Sequence, residues 1–366
     1  MDGSRAAQVT SSLHEGMECE FVGKGMADIA GIGIFVGFIG QAILSLLLSL
    51  WFFFLSKHSN VDLHYSKGTV EHAVERKRLG FASSMLMIGN DIQMVLGISY
   101  MTTAFASAAT LDLYHLHLVF DIVSFVGVSN ASAMVCWTFC KAKLNDGIDS
   151  SQPQSYIRSK YACYFTPSHR ITYLFAVMFL ALTIVLCVRL DEWAPNRASG
   201  RCYHAQLITL TTASHPAADK TYVAITSIWM ILAMASAVFV DVHRRRSVLI
   251  SAFLQFPVHL YMALALRSAN QGKLEGEETD ENGWDFGQTT AVVLLALAVE
   301  ELYRKGQEYI VFEREVRRRG VQKGIVNADR VTSRDGELED LRPQEQSAPE
   351  EQAHLNPGPT SGQQSY

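Results

Sequence analysis

Along the chain, apolar runs of about twenty or more residues alternate with short polar connectors. A helix of about twenty predominantly apolar residues crosses a hydrocarbon core of roughly 30 Å, so the alternation predicts membrane-spanning helices. Seven segments fit: 29–55, 80–106, 113–139, 171–190, 222–240, 247–266 and 289–304. The seventh is the shortest and is interrupted by Glu300 and Glu301; Glu301 shares a face with Arg304 and is expected to pair with it. The fold expected is an all-α polytopic membrane protein, a bundle of seven transmembrane helices.

Composition agrees with this pattern. The 366 residues are 49% hydrophobic and only 18% charged, and the mean hydropathy is +0.11, a balance unusual for soluble domains. Net charge is −5, and the basic residues gather in alternate connectors rather than in a patch that would bind nucleic acid. Lys57, Lys67, Arg76, Lys77 and Arg78 follow the first segment, Lys141, Lys143, Arg158 and Lys160 the third, Arg244, Arg245 and Arg246 the fifth, and Lys305, Arg314 and Arg317 to Arg319 the seventh. By the positive-inside rule the amino terminus is expected outside or in a lumen and the carboxyl terminus in the cytosol. The first 25 residues are polar, so no cleavable signal peptide is expected and the first segment directs insertion.

Four regions follow: an outer tail at 1–27, the helical bundle at 28–308, a basic juxtamembrane helix at 309–326 along the inner leaflet, and a tail at 327–366 too rich in Glu, Gln, Pro and Ser to order itself. Cys19 and Cys202 would share the oxidising side, either as a disulfide or as two free thiols. Cysteines and histidines lack metal-site spacing, so neither a metal nor a cofactor is expected. In the first segment Gly33, Gly37, Gln41, Ser45 and Ser49 recur every four residues, a mostly small stripe for close helix packing. The Asn130-Ala131-Ser132 triplet has the glycosylation pattern but lies inside the third segment, out of the transferase's reach.

Ionisable groups inside the apolar segments are costly and mark candidate sites. Segment two carries Asn90, Asp91 and Gln93, with Asn90, Gln93, Gly97 and Tyr100 on one helical face and Asp91 on its flank. On segment three, His117, Asp121, Ser124 and Ser132 share a face with Tyr114 a turn above, and His117 and Asp121 are spaced to share a hydrogen bond or ion pair. His115 points elsewhere. Gln255 and His259 lie one turn apart across Pro257 in segment six. The short link between segments two and three makes them antiparallel neighbours, and their polar faces are expected to meet in one cleft. The bland alternative is a satisfied interhelical polar network.

The stretches NDIQMVLG at 90–97 and YHLHLVFD at 114–121, together with DIAGIG at 28–33, resemble a group of uncharacterised seven-helix integral membrane proteins of filamentous fungi. The resemblance implies a fungal endomembrane protein, as of the endoplasmic reticulum, or a plasma-membrane protein, and carries no activity with it. Better-known seven-helix families fit less well. Segment three ends in CWTFCKAK without an Asp-Arg-Tyr-like triplet, segment seven lacks an Asn-Pro-x-x-Tyr element, and no lysine sits mid-helix there to form a Schiff base.

Four functions remain open. The first is a membrane-embedded acid–base enzyme acting on a lipophilic small molecule, similar in helix count and intramembrane carboxylic acids to the fungal membrane-bound terpene cyclases of secondary metabolism. In it Asp91 or Asp121 would donate a proton, with His117, Asn90 and Gln93 orienting the acid and Tyr100, Tyr114, Ser124 and His259 contributing to the ligand site. The second is a receptor or sensor whose basic inner connectors meet a cytosolic partner. The third is a proton-coupled carrier using His117 and Asp121, and the fourth a scaffold whose polar cluster is structural.

Overall fold

The computed structural model describes residues 24–57, 69–108, 110–145, 167–190, 217–239, 245–271, 274, 281 and 283–337, with the backbone alone for 55–57, 70, 145 and 317–337. Cys19 and Cys202, with their expected pairing, lie outside the described residues, as does the sequence beyond 337. Regular structure among the described residues is helical. A single turn, Ala27–Ala30, leads through Gly31 into α1 (Ile32–Lys57); α2 (Val70–Ala106), α3 (Leu113–Asn145), α4 (Pro167–Arg189), α5 (Ala217–Phe239), α6 (Arg245–Asn270) and α7 (Phe286–Glu337) follow. All seven are long and apolar enough to cross a membrane, and the chain is an integral, multi-pass membrane protein.

Local chemistry sets several helix starts. Thr69 caps α2 by accepting from the His72 amide, Asp112 caps α3 through His115, and Asp285 caps α7 through Gln288. Pro167 opens α4 at the position where its missing N–H costs nothing.

Packing places α3 at the centre. α1, α2, α4, α5 and α6 form a ring in which neighbours touch in that order and α6 returns to α1, and each of the five packs on α3. The membrane-spanning window of α3 is 100% buried. α7 stands outside the ring in the groove of α1 and α2. Outward stripes such as Leu174, Val177, Leu180, Ile184 and Val188 on α4 stay exposed for lipid.

The seventh apolar segment, the shortest in the sequence, lies in the longest helix, which has 52 residues and runs without a break past 308 and 326. Its polar length is held by pairs along its own surface, Glu301 with Arg304 as expected and Lys305 with Glu308, and by α2: the Arg78 guanidinium donates to the Tyr309 hydroxyl at 3.0 Å, and Phe81 stacks on the Tyr309 ring at 4.9 Å. The small-residue stripe of α1 serves two partners. Each four-residue step overshoots a full turn by about 40°, so Gly33 and Gly37 lie against Gln288 and Ala291 of α7, whereas Ser45 and Ser49 reach Ser129 and Ser132 of α3.

Candidate functional site

Two ring helices, α5 and α6, bring ionisable side chains to one point on α3. Asp121 is fully buried, and its Oδ1 accepts from the Tyr222 hydroxyl of α5 at 2.8 Å and from the His259 ring of α6, whose Nδ1 lies 3.0 Å away. The His259 tautomer follows from its other neighbour. Gln255 turns its amide nitrogen to the Thr226 carbonyl at 3.0 Å, which fixes that nitrogen as a donor. It also faces His259 Nε2 at 3.4 Å. Nε2 therefore accepts and Nδ1 carries the proton given to Asp121. Asp121 Oδ2 accepts no hydrogen bond among the described residues.

The expected His117–Asp121 pair is present at ion-pair distance but is not a hydrogen bond, because His117 Nε2 stands 3.8 Å from Oδ2. The imidazole that bonds the carboxylate comes from α6. Aromatic rings close the surroundings: Phe120 stacks on Phe179 at 5.4 Å, meets His259 edge-on at 5.9 Å, and lies 6.2 Å from His117, whose ring is 6.0 Å from Tyr222.

Asn90 and Gln93 do not join this group. Asn90 accepts from Asn130 at 3.0 Å, and Asn130 also donates to Thr172 of α4 at 3.2 Å. Gln93 accepts from Ser129 at 2.5 Å and reaches the Phe38 carbonyl at 3.5 Å. They tie α2 to α3, α4 and α1 about nine residues along α3 from Asp121, roughly 14 Å of rise. Asp91 is separated from Asp121 in the same way. It is half-buried beside Asn90, on the side of α2 that continues into exposed Ser84 and Val95. The single shared cleft expected from the two polar faces is therefore two networks at different depths. The reason is that a central α3 has no lipid side and distributes polar groups around its whole circumference.

The other expected ligand residues show no hydrogen bond to Asp121 among the described residues. Ser124 donates back to the Phe120 carbonyl at 2.8 Å. Tyr100 donates to the Ile29 carbonyl at 2.8 Å and packs on Phe38, tethering the turn before α1, where Arg267 also binds the Ala30 carbonyl. Tyr114 is fully buried at the head of α3, its hydroxyl without a hydrogen bond among the described residues.

His115, read as pointing elsewhere, is fully buried and ties α3 to the connector before α7. Its Nδ1 lies 2.7 Å from Asp112 and its Nε2 3.2 Å from Glu281, in the connector before α7. Two carboxylates on one ring match an imidazolium, which donates from both nitrogens. Tyr222, Ser129, Asn130, Asp112 and Glu281 were not singled out from sequence as site residues. The available signals were the hydroxyl at the head of segment five, the Asn-Ala-Ser triplet and the acidic connector. No clusters of metal-ligating residues occur among the described residues.

No protein-family model matches the chain, and neither a curated protein nor a solved structure is detectably similar to it.

Proposed function

We propose that the protein is a seven-helix membrane receptor or sensor whose switch is the Asp121 carboxylate. The observation that carries this reading is that one buried carboxylate oxygen holds side chains of both α5 and α6 on the central helix. A ligand group competing for Oδ1 alters the bonds that keep two ring helices against the axis. Such a change favours one helix packing over another, and that difference is the signal. The closely packed rings around Asp121 suit a switch better than a substrate chamber, which needs roughly 300 Å³ or more. Arg246, exposed at the start of α6, offers a cytosolic partner a basic contact on a helix that moves. On the resemblance of residues 90–97 and 114–121 alone, the membrane is a fungal endomembrane or plasma membrane.

A second reading, an acid–base enzyme acting on a lipophilic small molecule, draws on Asp121 Oδ2, which accepts no hydrogen bond and could serve a substrate. The two readings separate experimentally. Spin labels on α3 and α5 of protein in nanodiscs should give a distance distribution that differs between the wild type and Asp121→Asn, which removes the charge that Tyr222 and His259 hold. His259→Gln, which replaces one of the two donors, should shift the distribution in the same direction. Identical distributions in all three proteins overturn the switch. New metabolites from a heterologous host, lost in Asp121→Asn, would favour the enzyme.

A further inference from the structure

α7 carries a charged surface at a depth where the helix beside it is apolar. Gly33, Gly37 and Gly40 of α1 lie against Gln288, Ala291 and Leu295 of α7, so the two helices run in the same direction with an offset of 255 positions. Glu300 is therefore level with Ser45, and Arg304 with Ser49. On α1 the apolar run continues past both, through residues 50–55, and Leu47 and Trp51 are 56% and 48% exposed, toward lipid. The inner edge of the apolar layer is marked by the bond of Arg78 to Tyr309. Glu300 precedes Tyr309 by nine residues, roughly 14 Å of rise.

These α7 side chains point away from the ring. Glu300 is exposed, and the side chains of Arg304 and Glu308 are 59% and 54% exposed. Arg304 pairs with Glu301 on its own helix, whereas Glu300 forms no ion pair among the described residues. A long guanidinium can snorkel to the headgroups over a turn or two. A carboxylate on a short stem cannot, and ionisable groups facing acyl chains are costly.

The same face continues into water with the opposite mismatch. Ala296, Glu300, Tyr303, Gln307, Ile310 and Arg314 are all exposed, and they alternate steps of four and three residues, the seam spacing of two helices wound together. Ile310 and Val311, past the membrane edge, are 41% and 58% exposed. Lipid cannot match the carboxylate at 300, and water cannot match the apolar pair at 310 and 311. One protein surface along the seam covers both.

We infer that this seam is the contact between two copies of the chain, paired in parallel along α7 about an axis normal to the membrane. The occupant follows from charge. In such a pair equal heights meet, and each copy offers an acid at 300 and a base at 304, one turn apart. Helix side chains lean toward the amino terminus, so the longer Arg304 of each copy reaches back to the level of Glu300 of the other. Two acids and two bases then close a cluster at the axis, and Ala296 lets the backbones approach beside it. α7 stands outside the ring, so two copies meet there with both rings undisturbed.

The test is disulfide cross-linking of the full-length protein in membranes of the expressing cells. Ala296→Cys, on the seam, should give a species of doubled mass above the wild-type level on mild oxidation. Leu180→Cys, on α4 and 49% exposed toward lipid, should not. Glu300→Gln should weaken pairing about tenfold, the worth of one interhelical polar contact, read by Förster transfer between labelled copies as lipid dilutes them. Glu300→Arg and Arg304→Glu place like charges on the axis. Each alone should abolish pairing, yet co-expressed they should pair with one another, a rescue that separates a lost contact from a lost fold. Cross-linking of Ala296→Cys no stronger than that of Leu180→Cys, pairing that survives Glu300→Arg, or co-expressed variants that stay apart overturns the dimer. So does a cross-link to a protein of different mass in place of the doubled species. Asp121 takes no part, so the dimer and the switch stand or fall separately.

Discussion

At the scale of single residues, the polar side chains of this bundle act as pins between helices, and each pin has a direction. Asp121 points to α5 and α6, Asn130 to α2 and α4, and Ser132 to α1. Removing one donor from Asp121 tests the pin without leaving a cavity. Tyr222→Phe should lower unfolding stability in detergent by about 0.5–1.5 kcal/mol, the usual range for an interhelical hydrogen bond in a membrane. It should also loosen α5 more than α4, measured by hydrogen exchange. Small residues make the complementary test. In Gly37→Ala the new methyl meets Ala291 at 2.6 Å, with the Ala291 carbonyl carbon at 2.9 Å, and backbone cannot yield cheaply, so a loss of about 1–3 kcal/mol is expected. Gly80→Ala meets nothing within 4 Å and should gain up to about 1 kcal/mol from helix propensity. Thermal unfolding of the pair should move in opposite directions.

At the scale of elements, α3 and α7 are the two exceptions to an ordinary amphipathic span, and for opposite reasons. α3 is enclosed by five helices and so carries polar groups on every side. Polarity there has a protein partner whichever way it faces. α7 contacts α1 and α2 only along part of its surface, and its membrane window is 17% buried. Beyond the membrane it continues as a charged helix clasped by α2 through Arg78, Phe81 and the cation–π contact of Lys77 with Phe312 at 5.9 Å. Tyr309→Ala removes the hydrogen bond and the stacked ring together. Hydrogen exchange should then quicken across residues 305–316, while α3 stays protected. Unchanged protection in 305–316 would mean that the ion pairs along α7 suffice to hold it.

At the scale of the whole molecule, seven crossings put residue 27 and residue 316 on opposite faces. A membrane-impermeant thiol reagent applied to intact cells should therefore label single cysteines introduced at one terminus and not the other, with the amino-terminal side labelled if the basic connectors are cytosolic. The number of spans and their rough positions were readable from sequence alone, because lipid demands about twenty apolar residues per crossing and tolerates few exceptions. His117, Asp121 and His259 were also readable as unusual, since ionisable groups stand out against such a background. Period and spacing along one helix carry no record of which helix stands opposite. The sequence therefore pointed Asp121 at His117, four residues away, whereas folding set His259, 138 residues away, against it. Only the tertiary structure decided that α3 is central and that Asn90 and Gln93 form a second network apart from Asp121. Each of these depends on packing among helices distant in sequence, where shape and partner choice, rather than hydropathy, set the lowest free energy.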